Sequence, residues 1–321
     1  MWDRREVEHP RLSFLTNTFN RRLRSAIGIE SFMLMGKLVY HYTTFDSFRG
    51  IIGEKICLWA TRYDHLNDPS EQIWASNVLL SSLSKRDEFK GEDFNDYKEF
   101  FSVNSYVISL CKKADYRNMW RLYCNDGFGL CLCFDSDYFK KQSYSNLQES
   151  PNDSFDIYNE VEYSNRRQID FKIEICSRRE SFNLVDEEEA SRLMSMTPFI
   201  KDDDFSIEKE IRYARCRRFG KITIPYDRHL KGPGKIVKEM NTKGEKIRMR
   251  RNELVPYVEI YFPAKALKKI IVGYETDFEK AKKFIEGIIA PYKKDYGKIE
   301  IVPSRLFSSK LRTEDYKCIN Q

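Results

Sequence analysis

Tyr257-Val258-Glu259-Ile260-Tyr261-Phe262 and, a short spacer later, Lys269-Ile270-Ile271-Val272-Gly273 are two β-branched and aromatic runs with no helical stretch between them. Bounded by proline and glycine, such runs read as strands. A helix over 276–292 and a last strand over 299–302 follow them. Working back toward the N-terminus, strands and helices alternate without a fixed repeat. Residues 37–42 read as a strand, and Thr43-Thr44-Phe45-Asp46 offers N-cap oxygens to a helix carrying Phe48, Ile51 and Ile52. A second strand covers 56–60, and Asn67-Asp68-Pro69 is a turn that launches a helix. Strands follow over 105–111, 129–134 and 160–163, with a short helix over 119–123 and a turn at Asn125-Asp126-Gly127. The polar stretch 143–156 reads as a loop, 170–196 as a charged helix, and 206–217 as one alternating strand. This irregular order, with hairpins late, predicts an α+β fold. Its core is expected to be a pair of mainly antiparallel sheets flanked by helices. One domain is predicted over 37–307, with a basic excursion at about 219–253. A basic helical lead over 1–36 precedes it, and a tail over 308–321 follows.

Composition narrows the function classes. Of 321 residues, 41% are apolar and 14% aromatic, enough for a sizeable core. Mean hydropathy is −0.61, and no run approaches the roughly 20 apolar residues of a membrane-spanning helix. The opening Met1-Trp2-Asp3-Arg4-Arg5 lacks the apolar segment of a signal peptide, so a cytoplasmic protein with no membrane partner is expected. In that compartment the eight cysteines stay reduced. They form no CxxC pair and no HxxxH accompanies them, so no metal is expected. Cys131 and Cys133 read as small core residues of a strand.

The net charge of +6 is unevenly spread. Residues 209–251 hold 15 Lys/Arg against 4 Asp/Glu, a local charge of +11. A segment this basic fits a phosphate backbone, with Arg248, Arg250 and Arg251 as the candidate contacts and Tyr213 and Tyr226 interleaved. The same pattern also fits a solvated loop surface.

No glycine-rich phosphate loop, GxSxG or HExxH is present, which removes P-loop NTPases, standard serine hydrolases and zincins. What remains is an ordered set of short motifs. His41-Tyr42-Thr43 ends the first strand, Asn67-Asp68-Pro69 with Glu71 follows the second, and Ser109-Leu110-Cys111 ends a middle one. Met119-Trp120 with Tyr123 precedes Gly127, Gly129, Cys131-Leu132 and Phe134-Asp135. Then come Val161, Tyr163, Glu208-Lys209-Glu210 with Arg212, Pro263, the run around Lys269, and Ser304 with Leu306. In this order, from about Leu38 to Leu306, the set resembles the bacterial domain of unknown function 2971.

A fainter resemblance suggests chemistry. A strand-end His, a helix, a second strand and a much later strand-borne Glu are similar to the layout of ADP-ribosyltransferases, including the DNA-targeting toxin branch. The resemblance implies that NAD is the substrate and that His41 holds its nicotinamide-side ribose. Tyr42 would supply backbone groups or a ring, Tyr63 or Tyr123 would stack on the nicotinamide, and Arg62 would contact phosphate. Glu210 would be the catalytic carboxylate, with Glu208 able to fill that role instead. The implied protein is an effector, a toxin or anti-phage factor, that modifies a nucleic acid or a protein and works with a partner of such a system. These residue types suit that chemistry. A carboxylate stabilises the positive charge that grows on a sugar as its glycosidic bond breaks, and arginine pairs bidentately with pyrophosphate. On a strand Glu208, Glu210 and Arg212 share one face.

Plainer readings stand beside these. His41 also fits a hydrogen-bonded structural residue, Trp120 and Tyr123 have ordinary core spacing, and Glu208, Glu210 and Arg212 fit a surface charge ladder. A non-enzymatic nucleic-acid-binding module and a catalytically silent sensor on the same fold are the competing functions.

Overall fold

Alternation along the first strand fixes two sides of the molecule. In β1 (Leu38–Thr43) Val39 enters the main core, while Tyr40 and Tyr42 face a second cluster. The Thr44 hydroxyl then accepts from Ser47 N and caps α1 (Phe45–Ile51), whose Phe48 and Ile51 are buried. The chain returns as β2 (Lys55–Arg62) and continues with β3 (Ser105–Cys111), α2 (Arg117–Tyr123), β4 (Leu130–Asp135), α3 (Ser136–Glu149) and β5 (Ser154–Glu160). Short β6 (Glu162–Tyr163) and β7 (Ile200–Lys201) pair in parallel before β8 (Glu210–Arg217). Four fragments follow: β9 (Lys221–Thr223), β10 (Tyr226–Asp227), β11 (Gly232–Pro233) and β12 (Val237–Glu239). The hairpin β13 (Lys246–Arg250) and β14 (Glu253–Pro263) leads to β15 (Leu267–Val272), α4 (Phe278–Ile289), α5 (Lys293–Tyr296) and β16 (Glu300–Pro303).

The structure, a computed structural model, describes residues 38–67, 71, 74, 75, 77, 105–149, 154–163, 197–217, 244–250 and 252–306, together with strands β9 to β12. The lead over 1–36, Asp68, Pro69, the helix expected over 170–196, Arg251 and the tail over 308–321 lie outside the described residues. Among the described residues no helix is long and apolar enough to cross a membrane.

The fold is α+β with a mainly antiparallel sheet, but one ten-stranded sheet replaces the expected pair. Its order is β13-β14-β2-β3-β1-β4-β15-β16, with β8 paired to β3 and β5 to β8. Within it only β15 and β16 run parallel. One edge of β3 pairs with β8 along its whole length. The other edge is shared: β2 takes Tyr106 and Val107, and β1 takes only Cys111. The sheet therefore forks at β3, with β4, β15 and β16 on the β1 arm and β14 and β13 on the β2 arm. The two late runs that announce the fold go to different arms, β14 beside β2 and β15 beside β4.

Two expected elements differ. The stretch 143–156 is helix to Glu149 and strand from Ser154. Phe139 anchors α3 in an aromatic group with Phe134, Tyr158, Tyr213 and Phe262, which outweighs the polarity of the rest of the helix. In β5 the buried Asp156 lies opposite Arg215, which donates to both of its oxygens at 2.8 Å, so a polar strand is satisfied in the sheet. The stretch 206–217 is not one strand. A 3₁₀ segment Asp203–Glu208 ends at Lys209, whose φ of +48° breaks the strand before Glu210.

Candidate functional site

β3 and β8 run with Cys111 opposite Glu210, Ser109 opposite Arg212 and Val107 opposite Ala214. Cross-strand partners share a face, so Glu210 and Arg212 lie with Ser109 and Cys111 on the side of the sheet opposite the main core. There Arg212 makes the centre of a buried charge cluster. Its Nε and Nη2 donate to the two Glu210 oxygens at 2.8 and 2.9 Å. Its Nη1 donates to Glu71 and, at 2.6 Å, to the Pro198 carbonyl. Lys201 Nζ stands 2.7 Å from Glu208, 3.3 Å from Glu71 and 3.6 Å from Glu210. Among the described residues three carboxylates thus meet two cations, leaving one negative charge when all are ionised. The turn at Lys209 does not part Glu208 from Glu210, because both converge on Lys201.

Depth separates the two glutamates of the sequence motif. The Glu210 side chain is 5% exposed and Glu208 12%. Burial pushes the Glu210 carboxyl up, but Arg212 and Lys201 pull it further down, to below its ordinary value. For Glu208 burial wins over Lys201 and raises the pKa. Glu210 N donates to the Tyr163 hydroxyl at 2.8 Å, which fixes the start of β8.

His41 approaches from the fork. Its place on β1, opposite Leu132, puts its Cβ on the core side. Because β1 leaves β3 after Cys111, the ring reaches the free edge of β3, and Nδ1 lies 3.2 Å from the Ser109 carbonyl. A carbonyl only accepts, so Nδ1 carries the proton and Nε2 is an acceptor. Burial lowers the pKa, which keeps the ring neutral at pH 7. The Ser109 side chain also lowers the Glu210 pKa. Ser109 therefore lies between the two: its carbonyl accepts from His41, and its side chain shares the face of Arg212 and Glu210.

The remaining candidates divide. Tyr63 is buried at 1% exposure and donates its hydroxyl to Thr197 O at 2.9 Å, so its ring packs the protein rather than a ligand. Tyr123 is half-buried; burial raises its hydroxyl pKa, and Glu208 and Glu210 push it further up. Tyr42 is locked: its hydroxyl donates to Lys113 O and accepts from Tyr116 N, both at 2.8 Å, and its ring meets Trp120 edge-on. Arg62 is already held by Asp64 at 2.7 Å and Glu245 at 3.6 Å. Arg248 and Arg250 belong to the β13–β14 hairpin, where both are half-buried rather than freely solvated. Lys201 and Glu71 went unassigned by sequence reasoning, although Glu71 stood in a noted motif. Nothing local marks Lys201, since only the folded chain sets it beside three carboxylates.

The other motifs meet on the same side of the sheet. Trp120 Nε1 donates to Asp115 at 2.9 Å, and the Ser304 hydroxyl and Arg305 N donate to the same carboxylate at 2.5 and 2.6 Å. Met119, Trp120, Cys131 and Cys133 pack together there, with Leu306 against them.

A family model described as a protein of unknown function (DUF2971) matches residues 119–213, under a third of the chain. The matched span runs from α2 to β8 and contains Lys201, Glu208, Glu210 and Arg212, but not His41, Glu71 or Ser109. No curated protein and no solved structure matches the chain.

Proposed function

We propose that this protein is an NAD-dependent ADP-ribosyltransferase-like effector that modifies a nucleic acid or a protein. The reading is supported above all by the approach of His41 and Glu210 to Ser109 from its two sides, at the fork where β1 and β2 part from β3. NAD supplies a glycosidic bond whose cleavage leaves positive charge on the ribose. A cluster with one excess negative charge favours that change over the ground state. Neutral His41 offers Nε2 to a ribose hydroxyl. Among the described residues that atom has no protein partner. We give the reacting role to Glu208 rather than Glu210. Glu210 has both oxygens committed to Arg212, whereas Glu208 is less buried and is paired with Lys201. Glu210, Arg212 and Glu71 then hold that corner rigid. Tyr123, whose hydroxyl feels both glutamates, is our choice for the ring that stacks on the nicotinamide.

The test is nicotinamide release from NAD in the presence of cell extract, comparing wild type with Glu208→Gln and His41→Ala. Glu208→Gln is expected to keep NAD binding and slow release by about 10²-fold or more. His41→Ala is expected to weaken NAD binding. If wild type releases no nicotinamide and calorimetry detects no NAD binding, the proposal fails.

A further inference from the structure

The face of the sheet that carries Glu210 and Arg212 extends across Thr61 and Tyr257 to the β13–β14 hairpin. Arg248 on β13 shares that face, opposite Val255. Its cations are of two kinds. Lys246 is paired with Glu259 at 2.8 Å. Arg248 and Arg250 have no carboxylate partner among the described residues. Arg248 Nη2 donates to the Thr61 hydroxyl at 2.9 Å, and its guanidinium lies over the rings of Trp59 and Tyr257, 5.2 and 5.6 Å from their centres. Arg250 donates to His65 O at 2.7 Å and to Asn67 Oδ1 at 3.1 Å. Neutral oxygens and aromatic faces hold both guanidinium groups in place without cancelling their charge. Beside them Trp59 leaves 40% of its surface in solvent.

We propose that Arg248, Arg250 and Trp59 form a binding surface for single-stranded nucleic acid. Two fixed arginines with no carboxylate partner among the described residues suit two backbone phosphates, and an exposed indole beside them offers a stacking platform for an unpaired base. A base stacked on Trp59 must be unpaired, which favours a single strand over a duplex. An acidic peptide would satisfy the charges but leave the indole unused. The surface also adjoins the carboxylate cluster. Asn67, which accepts from Arg250, and both Glu208 and Glu210 act on the same Tyr123 hydroxyl. That the bound strand is also the acceptor of ADP-ribose rests on the transferase reading; the binding itself does not.

Fluorescence anisotropy of the full chain with a labelled oligothymidylate and a labelled unstructured RNA, without NAD and over a salt series, tests the surface. Binding is expected to weaken with salt. Arg250→Gln should make the log–log salt slope shallower by about 0.7, and Arg248→Gln with Arg250→Gln by about 1.4. Trp59→Leu should weaken binding about tenfold with the slope unchanged. Far-UV melting of each variant separates lost binding from lost fold. Should Arg248→Gln fail to fold, the slope of Arg250→Gln decides alone. Duplex bound as tightly as single strand, polyglutamate competing as well as the oligonucleotide, or variants bound as wild type would each overturn the proposal. Loss of nicotinamide release with strand binding intact would strike the transferase reading only.

Discussion

Arg212 closes on Glu210, two residues earlier on the same strand, with both arms of its guanidinium: Nε meets Oε1 at 2.8 Å and Nη2 meets Oε2 at 2.9 Å. A strand puts residues i and i+2 on one face, and the planar fork of arginine matches a carboxylate's two oxygens. The third nitrogen is thereby turned to Glu71. Two strand neighbours thus define a corner of the protein from which a distant helix residue and Lys201 are held.

Removing Arg212 should be among the most damaging single changes in the chain. Arg212→Met leaves Glu71 and Glu210 buried with Lys201 as their remaining cation, and loss of one partner of a buried pair costs about 3–5 kcal/mol. Arg212→Lys keeps the charge but not the fork, and should still lose a substantial part of that. Urea unfolding reads both. A Met variant within about 0.5 kcal/mol of wild type would mean the cluster is not formed.

The two glutamates of the motif should give opposite pH signatures. Glu210 titrates below its ordinary value of 4.5 in the folded chain, so its contribution is present above pH 4.5 and is lost as pH falls through the depressed pKa. Glu208 titrates above 4.5, so its contribution is full below that pH and is lost as pH rises through the raised pKa. Urea midpoints measured against pH should show Glu210→Gln losing part of the acid-side rise. Glu208→Gln should lose part of the decline just above pH 4.5. Two superimposable profiles would refute the assignment.

Asp115 ties three parts of the chain at one carboxylate. Asp115→Ala removes the partners of Trp120 Nε1, the Ser304 hydroxyl and Arg305 N together. Hydrogen bonds to a charged group are worth about 1.5–3 kcal/mol each. Amide exchange in β16 should accelerate more than in β2. Equal protection in both strands would show that Asp115 does not anchor that end.

Gly273 has no room for a side chain, because a Cβ there would stand 2.1 Å from the Gly127 carbonyl oxygen. The neighbour is backbone at a positive-φ glycine, so it cannot swing aside. Gly273→Ala should cost at least the 1–3 kcal/mol typical of overpacking. A melting temperature equal to wild type would contradict this approach of the two segments.

Much of the fold was legible locally. The strands 105–111 and 257–262, the cap at Thr44 and the turn at Asn125-Asp126-Gly127 follow from burial preference, cap oxygens and turn chemistry within a few residues of each other. The motif order also pointed to residues that do come together, such as Trp120 with Ser304 and Glu210 with Arg212. The misread elements lack a local signal. α3 is polar and held by Phe139, and β5 keeps Asp156 because Arg215 stands across from it. By itself the sequence determined most of the strands and helices, since those preferences act through neighbours along the chain. Only the tertiary structure decided that the sheet forks at β3, that Lys201 joins three glutamates and that Arg248 and Arg250 meet no carboxylate among the described residues. Each of those depends on partners brought together from far apart in the chain, and no local preference encodes a partner.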